Sequence, residues 1–137
     1  MNTTYFKNVI VGNTFNTQTT PALPTQYWIG LSSTPPTVGG TGVTEPSGVG
    51  TGYSRVQLTN LSAPVNGEIH NGGVVSFDES LTSWGTVTHY VVYDAPVSGN
   101  LLMFGLLAIS RQVEQNTVVA IRAGELTTTL ENPTITP

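Results

Sequence analysis

Two apolar runs separated by a polar turn dominate the hydrophobic pattern, between Ser83 and Leu107 (SWGTVTHYVVYDAPVSGNLLMFGLL). The first, Thr86 to Tyr93, is dense in β-branched and aromatic residues. The second, Leu101 to Leu107, is the most apolar segment of the chain, and Ala95 to Asn100 (APVSGN) lies between them. Such side chains suit a pleated, half-buried surface, so the stretch predicts a β-hairpin on which a larger sheet is built.

Elsewhere the pattern is weaker but readable. Tyr5, Phe6, Val9 and Ile10 share one helical face within Asn2–Phe15, with Asn2 or Thr3 as N-cap and Gly12 or Asn13 as the stop. This predicts a short helix within residues 1–16, which needs a sheet to pack on if it is to persist. In Tyr27–Ser33, Tyr27, Ile29 and Leu31 alternate with Trp28, Gly30 and Ser32, the period of a half-buried strand. Tyr53–Thr59 alternates in the same way. Glu68–Asp78 predicts a short strand, a break at Gly72-Gly73 and a second run, VVSF. Ser110–Asn116 reads as a polar strand or turn and Thr117–Ala123 as a strong strand. Gly124-Glu125 reads as a tight turn, Leu126–Glu131 as a closing strand, and residues 132–137 as an extended tail. Thr34–Gly52 is broken by prolines and repeated glycines and predicts a long loop without regular structure; loops of that length are either functional or plain crossovers.

Seven or eight strands punctuated by turns predict an all-β fold, an antiparallel β-sandwich of jelly-roll-like form with a short N-terminal helix. A length of 137 residues suits one domain covering residues 1–137. Composition agrees: only 9% of residues are charged, against roughly 25% in an ordinary soluble domain. Polarity comes instead from Thr, Ser, Asn and Gln, with 15 Gly and 9 Pro as punctuation.

The formal net charge is −4, and the basic residues Lys7, Arg55, Arg111 and Arg122 are scattered. They form no phosphate-tracking stripe, so nucleic acid is not an expected partner. No run approaches the roughly 18 apolar residues of a membrane helix, and no membrane insertion is expected. The N-terminus shows no signal-peptide pattern. With no cysteine, disulfides, thiolate catalysis and cysteine metal sites are excluded, and folding in a cytoplasm is the natural reading. So little surface charge suits a protein with part of its surface in an interface.

Candidate chemistry is sparse. His70 and His89 lie on different predicted strands with no carboxylate at ligand-like spacing, so no metal site is expected. Asp78, Glu79 and Asp94 could in principle serve as a glycosidase pair, but aspartates at strand ends more simply stop strands and cap turns. There is no G-x-S-x-G elbow for a serine hydrolase and no GK[ST] after the glycine-rich loop for a phosphate cradle. Exposed aromatics could stack on sugars, with Trp28, Tyr53, Trp84, Tyr90 and Tyr93 as candidates; on alternating strands about half of such residues face the core. Glu45 and Arg55 could form a salt bridge pinning the long loop to the strand that follows, worth little if exposed.

Several stretches, in order, carry a resemblance: YWIGLSSTPP, GVTEPSGVGTGYSRV, SWGTVTHYVVYDAPVSGNLLMFGLL and AGELTTTL. Together they resemble a family of small tailed-bacteriophage virion proteins usually labelled phage tail fibre protein. That family's pattern is a Y-x-G/A-L-S strand, a T-E-P-S-G-x-G-Y-x-R loop and strand, a W-G-T-x-T-H strand, a Y-D-A turn, a G-N-L-L strand and a late A-G-x-L. YFKNVIVGNTF matches its opening helix. An extra Thr51 and the segment Pro96-Val97-Ser98 are minor departures. The matching residues Glu45, Pro46, Gly52, Tyr53, Arg55, Trp84, Gly85, His89 and Asp94 are read as structural hallmarks.

The resemblance supplies no catalytic residue and no cofactor. It implies a non-enzymatic virion structural protein displayed in several copies as a tail fibre or tail-tip module. Two alternatives stay open: a capsid decoration (cement) protein stabilising the phage head, and a host-glycan-binding module using Trp28, Tyr53 or the long loop. The expected partners are tail proteins or the major capsid protein, further copies of the chain in a dimer or trimer, and a host surface glycan. The expected location is the virion, after synthesis in the host bacterial cytoplasm.

Overall fold

A computed structural model describes residues 1–16 and 21–129. In chain order the elements are α1 (Thr4–Thr14), β1 (Trp28–Ser32), β2 (Val56–Gln57), β3 (Glu68–His70), β4 (Val75–Ser76), β5 (Gly85–Tyr93), β6 (Leu101–Val113), β7 (Ala120–Ile121) and β8 (Thr127–Thr129). The fold is all-β with one short N-terminal helix, as the composition and periodicity predict.

The β5–β6 hairpin is the spine. Its register runs from Tyr93↔Leu101 to Gly85↔Val113, with irregularities near each end. Val87 opposes Arg111 while His89 opposes Leu106, so residues 107–110 have only Thr88 opposite them. This four-against-one irregularity is larger than an ordinary bulge, and bulges bend the strand and raise its twist. β6 therefore continues to Val113, through the segment that the sequence leaves as polar strand or turn. β1 pairs antiparallel with the other side of β5, and β2 adds to β1 through Trp28↔Gln57 and Ile29↔Val56, giving the order β2-β1-β5-β6.

The middle of this sheet is buried on both faces. One face contributes Ile29, Leu31, Val87, Val92 and Leu102 to the main core, where they meet Phe6 of α1, Val75, Phe77, Ile121 and Leu126. The other face carries Val91, Leu101 and Phe104, packed with Val43 of the long loop and Tyr93. Burial on both sides explains why Leu101–Phe104 reads as an unbroken apolar run rather than an alternation.

Two short antiparallel ladders, β3–β8 and β4–β7, complete the fold. Asn71 stitches them together although it is almost fully buried. Its Nδ2 donates to the carbonyls of Gly73 and Arg122 at 2.9 and 2.8 Å, and its Oδ1 accepts the Leu126 amide at 2.9 Å. Those bonds satisfy a side chain that would otherwise be costly to bury.

The structure shortens two predicted strands and lengthens the helix. Only Val56 and Gln57 of Tyr53–Thr59 enter a ladder, and only Ala120 and Ile121 of Thr117–Ala123 do so. Beside them the pairing continues only as single backbone bonds, Leu58 N–H to the Tyr27 carbonyl at 2.8 Å and Phe77 N–H to the Val119 carbonyl at 2.9 Å, and side chains hold residues farther out. Thr117, for example, donates its amide to Ser80 Oγ at 2.9 Å. The helix runs past Gly12 and Asn13 to Thr14, with Phe15 as C-cap. Gly12 is buried inside it. At the other end Thr3 is the N-cap: its Oγ1 accepts the Phe6 amide at 3.2 Å and donates to the Leu101 carbonyl at 2.7 Å, tying the cap to β6. The end of the predicted closing strand, Leu130 and Glu131, and the tail 132–137 lie outside the described residues. No helix among the described residues is long and apolar enough to cross a membrane.

Candidate functional site

The polar residues singled out in the sequence converge where the edge of β1 runs out of partners. β2 covers only Trp28 and Ile29, leaving the outward amide of Leu31 to find an acceptor elsewhere. Tyr53 supplies it, its Oη accepting the Leu31 N–H at 3.0 Å. The long loop then closes the rest of the edge. Ser33 donates its amide to the Thr44 carbonyl at 3.0 Å, and Thr44 returns its own amide to Ser32 Oγ at 3.0 Å. The loop is fastened internally by threonine hydroxyls, with Thr34 Oγ1 donating to Thr44 Oγ1 at 2.8 Å and Thr37 Oγ1 lying 2.7 Å from Thr41 Oγ1. It has no regular structure, as expected, yet its backbone is well bonded.

Arg55 ties this edge to the tip of the hairpin. Its Nε and Nη2 bond both oxygens of Glu45, at 2.9 and 2.8 Å, in a two-pronged fork. Its Nη1 donates to the carbonyls of Ala95 and Ser98, each at 2.8 Å. The guanidinium lies 3.6 Å from the centroid of the Tyr93 ring, within cation–π range. Tyr53 donates its hydroxyl to Glu45 Oε1 at 2.5 Å. The side chains of Arg55 and Glu45 are only 7% and 20% exposed, so the expected loop-pinning bridge is present and is not of the exposed kind that is worth little. One cation thus clamps three segments: the long loop, the approach to β2 and the β5–β6 turn. Burial, and next the hydrogen bond to the Glu45 carboxylate, push the Tyr53 phenol well above its ordinary range. It stays a neutral O–H donor.

Gly30 faces this knot. A Cβ built there would meet Tyr53 Oη at 2.5 Å and Glu45 Oε1 at 2.6 Å, so the clamp sits directly on bare β1 backbone. Gly52 has φ +76°, and a Cβ there would meet the Glu79 carbonyl at 2.8 Å; both turn and close approach call for glycine.

The other hallmark residues surround the clamp or extend it. Trp84 is buried, donates Nε1–H to the Thr51 carbonyl at 2.8 Å and meets Tyr53 edge-on at 5.3 Å. Tyr53 also stacks on Phe77 at 6.2 Å. Asp94 closes the hairpin turn, its Oδ1 accepting the Asn100 amide at 2.7 Å and its Oδ2 the Asn100 side chain at 3.0 Å. Pro46 is half-buried beside Glu45, and Gly85 opens β5 in an exposed position. His89 is half-buried in β5 with Nδ1 2.7 Å from Thr88 Oγ1. Trp28 is half-buried on β1 and donates Nε1–H to Gln26 Oε1 at 3.1 Å.

Groups weighed for catalysis are not brought together. His70 lies on β3, 3.6 Å from Glu68, and His89 lies on the main sheet. Asp78 and Glu79 are exposed between β4 and β5, while Asp94 is taken up by the turn. Among the described residues no group of three or more His, Cys, Asp or Glu side chains could hold a metal ion. The sequence pointed to the Glu45–Arg55 pairing but not to the part Tyr53 takes in the clamp. The role of Tyr93 and of the Ala95 and Ser98 carbonyls left no signal, because it depends on how the hairpin tip folds back.

Replacing Tyr53 with phenylalanine keeps the ring packing but leaves the Leu31 amide without its acceptor and removes the hydroxyl donor from Glu45, which keeps the Arg55 fork. Stability should fall by about 2 kcal/mol, measured as a lower urea midpoint with unchanged slope.

No curated protein matches the chain. The family model described as podophage GP4 fiber I protein gp80 matches residues 1–129, nearly the whole sequence, and the chain belongs to that family.

Proposed function

We propose that the chain is a non-enzymatic structural component of a bacteriophage tail fibre, present in several copies on the virion as a tail-fibre or tail-tip module. The family match over residues 1–129 carries this reading. The clamp supports it, because the charged and aromatic residues shared with the family pattern, Glu45, Tyr53, Arg55 and Trp84, hold loops and strands in place. The low charge of the chain, 9% of residues, suits a module that buries neutral surface against other tail proteins and further copies of itself. Closed, symmetric homo-oligomers are the common outcome for such chains, so a dimer or trimer is the expected unit.

Separating purified virions into heads and tails, with quantitative immunoblotting of each fraction, tests the reading. The protein is expected in the tail fraction at several copies per tail. Recovery with heads alone would overturn it in favour of capsid decoration.

A further inference from the structure

We propose that the cavity between α1 and the β3 side of the β3–β8 ladder binds one uncharged hydrophobic molecule, an alkyl chain or ring system carrying a single neutral polar end. The inference does not rest on the fibre reading. The cavity holds about 360 Å³, within the roughly 300–1,000 Å³ usual for small-molecule sites. It is built by segments far apart in the chain: Phe6 and Ile10 from α1, Tyr27 ahead of β1, Leu58 after β2, Ile69 from β3 and Met103 from β6. No charged residue lines it among the described residues.

That lining decides what fits. A stable water cluster needs two to four polar partners per water. Among the described lining residues only Asn2 and Tyr27 carry polar side chains, and Asn2 is 3% exposed and already bonded. An ionised ligand would lose its hydration with no counter-charge to replace it. Hydrocarbon gains from the same surface by leaving water, and the thioether of Met103 adapts to irregular shapes. Tyr27 makes no side-chain hydrogen bond within the described residues. Burial raises its phenol pKa, so it stays neutral and can donate to a neutral oxygen. A medium-chain primary alcohol has the required chemistry.

The test is fluorescence titration of the full chain with the neutral probe N-phenylnaphthylamine, followed by displacement with decanol and, separately, with decanoate. The expected result is saturable binding at one site per chain, displaced by decanol and about tenfold less well by decanoate. Leu61 lines the cavity and is 40% exposed, so Leu61→Glu alters the entrance without opening a core void. It should weaken probe binding by about tenfold or more while circular dichroism stays unchanged. Absence of saturation in the unaltered chain would overturn the proposal, as would equal affinity in Leu61→Glu or equal displacement by decanoate. A Leu130→Ser/Ile135→Ser double variant that gains about tenfold in probe affinity would overturn it too, by identifying the chain's own C-terminal segment as the occupant.

Discussion

Arg55→Ala should lower the unfolding free energy by about 3–5 kcal/mol, the usual cost of stripping one partner from a buried ion pair. Three losses combine. Glu45, 20% exposed, keeps its charge without the fork that bonded both oxygens. The Ala95 and Ser98 carbonyls lose a shared donor, and the Tyr93 ring loses the cation above it. Urea unfolding should show the midpoint falling with the slope unchanged. A change below about 1 kcal/mol would mean the pair behaves as an exposed bridge. Removing both charges in Glu45→Gln/Arg55→Met should cost less than the sum of the single changes, because neither then leaves an unpaired charge behind.

A second large effect is expected at Trp84. Trp84→Ala removes a buried indole that touches Tyr53 edge-on and fastens the end of the long loop through the Thr51 carbonyl. The expected loss is about 3–5 kcal/mol, as for other large aromatic truncations. Trp84→Phe should lose about 1 kcal/mol, since much of the packing survives and one hydrogen bond goes. If the two variants unfolded at the same midpoint, the ring would contribute little and the packing account of the Tyr53–Trp84–Phe77 cluster would fail.

The contrast between what could and could not be read from the sequence has a physical basis. The β5–β6 hairpin was legible because strand preference and burial point the same way over long runs. The Glu45–Arg55 pairing was legible because opposite charges lie ten positions apart across a glycine-rich loop. The minor ladders were not. β4 and β7 pair through Val75↔Ile121 and Ser76↔Ala120 alone, and their placement depends on buried polar side chains such as Asn71 and Ser80, whose bonds reach 34 to 55 positions along the chain. Sequence periodicity carries no signal for that. The high strand preference of Thr117–Ala123 misled for the same reason. Gly12 misled in another way: a glycine near a helix end usually marks the stop, but here it is a buried helical position.

Hydrogen exchange in Arg55→Met tests the clamp most directly. The Thr44 amide, bonded to Ser32 Oγ, reports on the long loop, and the Asn100 amide, bonded to Asp94 Oδ1, reports on the hairpin turn. If one guanidinium holds both segments, the two amides should exchange faster together, by about tenfold or more, while amides of the β1–β5 ladder such as Val92 change less. Faster exchange at only one of them, or at neither, would contradict the account.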